Sequence, residues 1–146
     1  MGLLVRVETL TQEQLRVNEG AFLAIAADVP GEYWTLDNFL VDLPDKWRLS
    51  FAVWDREHPV AYAVVSRKGA TTAHLHHLMV RAEHRALGLG QRILVEMERR
   101  ARTAECDTLT LKAVASDERV RAFYERTGFS VEGQDGDYVL MAKRIA

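Results

Sequence analysis

The chain has 146 residues, 48% of them apolar and 27% charged, which suits one globular, soluble domain with a sizeable core. Nineteen basic residues against 21 acidic ones leave a formal charge of -2, which argues against broad electrostatic binding to nucleic acid. Cys106 is the only cysteine, so an internal disulfide and a multi-cysteine zinc site are excluded, no metal is expected, and a reducing cytoplasm is the natural setting. No basic segment followed by a long apolar run stands near Met1, so no signal peptide is expected. Ala21–Val29 is the most apolar stretch of the first half and falls far short of the roughly 20 residues a membrane helix needs, so no membrane partner is expected.

Leu3–Glu8 alternates apolar and polar residues and reads as a strand. Thr11 with Gln14 forms a capping box, and Leu15, Phe22, Ile25, Ala26 and Val29 recur at helical spacing, which predicts a helix over Thr11–Ala27. Pro30-Gly31 breaks it, and a short second helix follows over Thr35–Leu43, stopped at Pro44. Leu49–Trp54 and Val60–Ser66 are rich in β-formers and read as a hairpin across Asp55–Pro59. Gly69 marks the next turn and Thr72–Val80 the next strand. Gly88–Thr103 is a helix with one apolar face of Leu89, Ile93, Leu94, Met97 and Ala101, its Arg99, Arg100 and Arg102 forming a solvated face. Thr108–Ala113 alternates again. Ser116 caps a helix running to Thr127, with Val120, Phe123 and Tyr124 inward and Gly128 as its left-handed stop. Strands near Phe129–Glu132 and Tyr138–Lys143 close the chain across Gln134-Asp135-Gly136. This order predicts an α/β (α+β) fold in residues 1–146, one mixed sheet covered by helices.

The chemistry concentrates between Ala73 and Gln91. A strand ends in Leu78-Met79-Val80. A short basic loop follows, and Arg85-Ala86-Leu87-Gly88-Leu89-Gly90 leads into the helix. Glycines let backbone N–H groups crowd an anion, and a helix N-terminus adds about half a positive charge. Arg85 supplies a charge-assisted contact. The dinucleotide fingerprint is excluded because Ile93 stands where a third glycine belongs, and the P-loop because Gln91-Arg92 replaces Lys-Ser/Thr. Upstream, His74 and His76 lie two apart on a strand and share a face, with His77 pointing the other way. An unperturbed imidazole, with a pKa of about 6.5, is a suitable proton acceptor near neutrality. Tyr124, with a reference pKa of about 10, holds a proton to give.

The order Leu-x-Val, spacer, Arg-x-x-Gly-x-Gly, amphipathic helix resembles the acetyl-CoA-binding motif of the GNAT superfamily of acetyltransferases. Downstream, Asp117 to Phe129 resembles that family's Asn-x-x-Ala-x-x-Phe-Tyr-x-x-x-Gly-Phe segment. The resemblance spans about Leu49 to Lys143. It implies a GNAT-like domain: a mostly antiparallel mixed sheet of six to seven strands with about four helices, and a GNAT-type N-acetyltransferase activity. It implies that Leu78, Met79 and Val80, then Arg85, Ala86, Leu87, Gly88, Leu89, Gly90 and Gln91, hold acetyl-CoA, with the Met79 amide as oxyanion donor. Asp117 stands at a further cofactor position where the family prefers Asn, with capping of the following helix as its alternative role, and Ala86 stands where many members carry Gly. The run Ala73-His74-Leu75-His76 is similar to the strand of arylalkylamine N-acetyltransferases, which implies His74 and His76 as a base pair and Tyr124 as the acid. The region of Glu32, Tyr33 and Trp34 shapes the acceptor pocket in this family, and GNAT-like domains often pair as homodimers. Three functions follow: acetyl transfer to the primary amine of a small molecule, transfer to a protein or peptide amine, or an acyl-CoA-binding sensor without turnover.

Overall fold

A computed structural model describes residues 5–28 and 34–145. Its elements run β1 (Arg6–Thr9), α1 (Gln12–Val17), α2 (Glu19–Ala26), α3 (Leu36–Leu40), α4 (Lys46–Leu49), β2 (Phe51–Asp55), β3 (His58–Arg67), β4 (Thr72–Val80), α5 (Leu89–Thr103), β5 (Thr108–Val114), α6 (Glu118–Arg126), β6 (Ser130–Asp135) and β7 (Tyr138–Arg144). A single 3-10 turn, Ala82–His84, joins β4 to the loop before α5. The seven strands form one sheet in the order β1-β2-β3-β4-β5-β7-β6. Every neighbouring pair is antiparallel except β4–β5, the pair that α5 connects as a crossover helix. The expected α/β architecture and strand number are therefore present, with six α-helices among the described residues where about four were expected.

The sheet buries both faces. On one, Phe51, Val53, Ala63, Val65, Leu75 and Leu109 pack under α5 and α6. On the other, Trp54, Tyr62, Val64 and Met79 meet Leu15, Phe22 and Phe39 from α1, α2 and α3. Phe22, Phe39 and Tyr62 touch ring to ring, their centroids 5.1–6.1 Å apart. Complete burial of rings of this size stabilises by about 1.5–3 kcal/mol each.

Five sequence expectations need correction. The first helix is two: Asn18 leaves helical geometry at φ -112° and ψ 27°, and its side chain donates to the Gln14 carbonyl, which ends α1 before α2 begins. Helix α4 occupies residues expected to lie before and within a strand. The last helix is capped by Asp117, one residue beyond Ser116: the Asp117 carboxylate accepts the Val120 amide at 3.1 Å. Val120 is 38% exposed and does not belong to the inner face. The arginines of α5 are not all solvated either, because Arg100 packs over the Phe51 ring and bonds Glu96 and Thr9.

Lys46 is fully buried where α3 ends. Its ammonium donates to the Phe39 and Val41 carbonyls, both at 2.5 Å, and so satisfies the end of α3. Burial pulls its pKa down to about 8, with Asp42 opposing.

Candidate active site

Three local features build the site. The first is the turn into α5. Ala86 and Gly88 both sit in the left-handed region, at φ 63° and 77°, on either side of Leu87. Such alternation curls successive amides toward a common concavity. Gly88 caps α5 without a side-chain bond, so the first amides of a 15-residue helix end in this turn with no capping side chain. Gly90 has a second reason to be glycine: a Cβ there would stand 3.1 Å from the Phe123 ring. The same contact packs α6 against the mouth of α5. Arg85 is less free than its spacing suggests. Its Nε donates to the Val80 carbonyl at 3.0 Å, and its guanidinium lies 3.7 Å from Asp28, so it braces the loop against the end of β4.

The second feature is a gap in the sheet. β4 and β5 pair only from Thr72↔Thr108 to Leu75↔Leu111. Beyond that rung both strands continue, β4 to Val80 and β5 to Val114, without pairing. The gap follows from an extra residue in β4. Opposite Val64 and Val65 of β3 stand His77 and Leu75, so His76 is bulged out of the ladder. Arg81 then donates to the Val60 carbonyl across β3 at 2.7 Å. Strand alternation puts the Met79 amide on that same side, and the Leu78 and Val80 amides on the side of the gap. The Met79 amide therefore faces the β3 ladder, and Leu78 replaces it as the donor edge of the gap.

The third feature is what the bulge does to the histidines. It resets the alternation, so His77 does not point away from its neighbours as expected. All three imidazoles lie on the face that carries α1, α2 and α3. His77 is buried, 2.8 Å from the Tyr62 hydroxyl, and stacks on Trp34 at 4.4 Å with the rings 9° from parallel. His74 and His76 touch edge to face at 4.8 Å. The His74 Nδ1 lies 2.8 Å from the Thr110 hydroxyl, and the His76 Nε2 lies 2.7 Å from the Ser66 hydroxyl. Burial pulls His74 down to about 4, assisted by His76, Lys68 and Lys112. Burial, Lys68 and Lys46 also lower His76, which keeps an exposed edge. Both shifts favour the neutral imidazole.

Tyr124 lies across the sheet from this group. It is buried among Phe123 and Phe129, on the side of α5 and α6. Acid and base candidates stand on opposite faces of the sheet. Trp34 reaches the site through His77, and Glu32 and Tyr33 lie outside the described residues. Asp117 spends its carboxylate on the α6 cap. The sequence could not flag Ser66, Thr110, Tyr62 and His77, because only the register of three strands brings them to the site. An apolar groove of about 270 Å³, lined by Val5, Val7, Phe51, Val53 and Ile93, lies on the opposite face, under α5.

A mostly antiparallel sheet that opens beside an uncapped, glycine-entered helix suits a ligand that carries a diphosphate. The sequence matches the acetyltransferase (GNAT) family over residues 11–129, and the chain belongs to that family. No curated protein matches it. Among solved structures it is similar to the PaiA N-acetyltransferase of Thermoplasma acidophilum in complex with coenzyme A, with 17% identity, a TM-score of 0.79, and 97% of this chain and 99% of that one covered. It is also similar to the ribosomal-protein-S18-alanine N-acetyltransferase of Escherichia coli, at 19% identity and TM-score 0.81, covering 98% and 95%. A third is Naa50 of Arabidopsis thaliana with the bisubstrate analogue CoA-Ac-MVNAL, at 13% identity and TM-score 0.74, covering 95% and 97%. The acyl donor is acetyl-CoA, and the alternating loop at Ala86–Gly88 and the uncapped start of α5 suit its diphosphate.

Proposed function

We propose that this chain transfers an acetyl group from acetyl-CoA to the primary amine of a small molecule by direct attack. The observation that carries the reading is the placement of two touching imidazoles on one face of the sheet and a buried phenol on the other. Acetyl-CoA supplies an activated thioester. The amides from Arg85 to Gln91 hold its diphosphate, and the edge of β4 at Leu78 and Val80 holds the arm that follows.

His76 is the first proton acceptor. Held near 4, His74 is too weak a base to take a proton from an alkylammonium, whereas His76 is less perturbed and keeps an exposed edge. His74 lies behind it and orients it, with Thr110 and Ser66 fixing the two rings. The Leu78 amide donates to the carbonyl oxygen as negative charge grows there. Tyr124 gives its proton to the departing sulfur. A C–N bond replaces a C–S bond; of the two protons the ammonium loses, the first goes to His76 and on to solvent, and the second, shed as the tetrahedral adduct collapses, restores the one Tyr124 gives to the departing thiol. Trp34 walls the acceptor side through its stack on His77. Asp117 serves the cofactor end only by fixing the start of α6.

A peptide or protein amine is the second reading. The names of the Escherichia coli and Arabidopsis structures favour it, as does an uncovered sheet face at Val114, Tyr138 and Leu140, each 36–47% exposed. A thiol-release assay with acetyl-CoA, a panel of small amines and a panel of peptides with free N-termini separates the two. Turnover of small amines supports the proposal. Turnover confined to peptides moves the protein to the second reading, and saturable coenzyme A binding without any turnover overturns both.

A further inference from the structure

We propose that a second copy of this chain pairs with the first along β1, edge to edge and antiparallel, with a two-fold axis at Val7. β1 stands at an edge of the sheet, three strands from β4, so this contact is separate from the acetyl-transfer site.

β1 is paired on one side only, with β2. The direction of its amides follows from Leu10, whose N–H donates to the Ser50 carbonyl at 3.0 Å and continues the β1–β2 ladder. Backbone groups alternate along a strand, so Glu8 and Arg6 face β2 as Leu10 does, while Val7 and Thr9 turn their N–H and C=O outward. No backbone group among the described residues meets them, and both residues are exposed. In an antiparallel pair centred on Val7, that residue exchanges two hydrogen bonds with its own counterpart, and Thr9 stands opposite Val5 of the second copy.

The same register matches the side chains. On one face it sets Arg6 opposite Glu8 of the second copy, and Glu8 opposite Arg6 of the second copy. Arg6 and Glu8 already touch within the chain and are 51% and 38% exposed, so across the axis the four charges alternate in sign. On the other face Val7, 40% exposed, borders the apolar groove under α5, which Val95 also lines at 64% exposure. The axis lays Val7 against its counterpart and removes apolar surface from water on the groove side.

The opposite edge is built against such pairing. β6 skips a residue between Val131 and Gly133, and its charged residues, Glu132 and Asp135, are both acidic. A copy laid along β6 meets bent backbone and like charge, whereas β1 runs in unbroken register against β2. Four residues and one apolar rim make an interface smaller than the about 1,200–2,000 Å² of a stable complex. The dimer therefore exchanges with monomer, with a dissociation constant on the order of tens of micromolar.

Sedimentation velocity of the full chain from about 1 to 300 μM should show a monomer–dimer shift. Arg6→Glu and Glu8→Arg each set like charges across the axis and should weaken the dimer about tenfold or more. Mixed in equal amounts, the two variants should associate again, because each supplies the charge the other lacks. Val7→Pro should abolish the dimer, since it deletes an outward N–H and leaves the bonds to β2 in place. Thermal melting checks that each variant folds. The unaltered chain gives a readout independent of any variant: hydrogen exchange at the Val7 and Thr9 amides should slow as concentration rises, while the β6 amides stay unchanged. A chain that stays monomeric over that range overturns the inference. So does a dimer that keeps its strength in Val7→Pro, a mixture of the two folded charge variants that does not associate, or protection that arises at β6 instead. None of these outcomes bears on coenzyme A binding or amine turnover.

Discussion

Ala86→Gly should stabilise the protein, and Gly88→Ala should destabilise it. Both positions have positive φ, at 63° and 77°, and both flank the same turn. An L-residue in that region costs about 1–2 kcal/mol. Removing the Ala86 side chain relieves this strain, offset by about 0.4–1 kcal/mol of extra freedom in the unfolded chain. The net gain is about 0.5–1 kcal/mol. Gly88→Ala runs the other way, and since nothing lies within 4 Å of the added Cβ, the backbone alone sets its cost. For 146 residues at about 2.1 cal/mol/K each, the shifts in Tm come to about 2–3 °C upward and a similar amount downward. Differential scanning calorimetry of the two variants beside the parent measures both. If Ala86→Gly lowers Tm, or if both changes move it the same way, the alternating turn described here is wrong.

Tyr124→Phe should lower turnover about ten- to a hundredfold while leaving coenzyme A affinity nearly unchanged, and stopped-flow thiol release with calorimetric titration checks both. Unchanged turnover removes Tyr124 from the chemistry. Acid should weaken the fold through His74. Its folded pKa of about 4 lies below the unfolded 6.5, so the unfolded chain takes up the proton first as pH falls. The contribution is intact above pH 6.5 and is lost between about 6.5 and 4. At 1.36 kcal/mol per unit the ceiling is about 3 kcal/mol, and solvent access reduces it to about 1–2 kcal/mol. Urea melts across that range should show the slope in the parent, and a flatter one in His74→Gln. Lys46→Met should cost about 1–3 kcal/mol by leaving two carbonyls at the end of α3 without their donor, read by the same urea melts.

The parts of the fold that rest on local pattern were legible in the sequence. The apolar stripe of α5, the Thr11 capping box, the β2–β3 hairpin and the glycine-marked turn before α5 all appear where residue types and spacing put them. What failed depends on register. One bulged residue at His76 turns His77 toward the other two histidines, and no period-two reading of the strand can reveal it. The same bulge moves the donor edge from Met79 to Leu78. The break at Asn18 is a one-residue event inside an otherwise helical apolar pattern. The partners of the histidines, Ser66 and Thr110, come from strands 10 and 36 residues away in the chain. Their presence follows from strand order, which composition and spacing do not encode.

Titration of the purified chain with coenzyme A, and in parallel with pantetheine, bears most directly on the turn from Arg85 to Gln91. Saturable one-site binding of coenzyme A, at least about tenfold tighter than that of the fragment lacking the diphosphate, is the expected result. Equal affinity for the two, or no saturable heat with coenzyme A, would contradict the assignment of this turn as a diphosphate cradle.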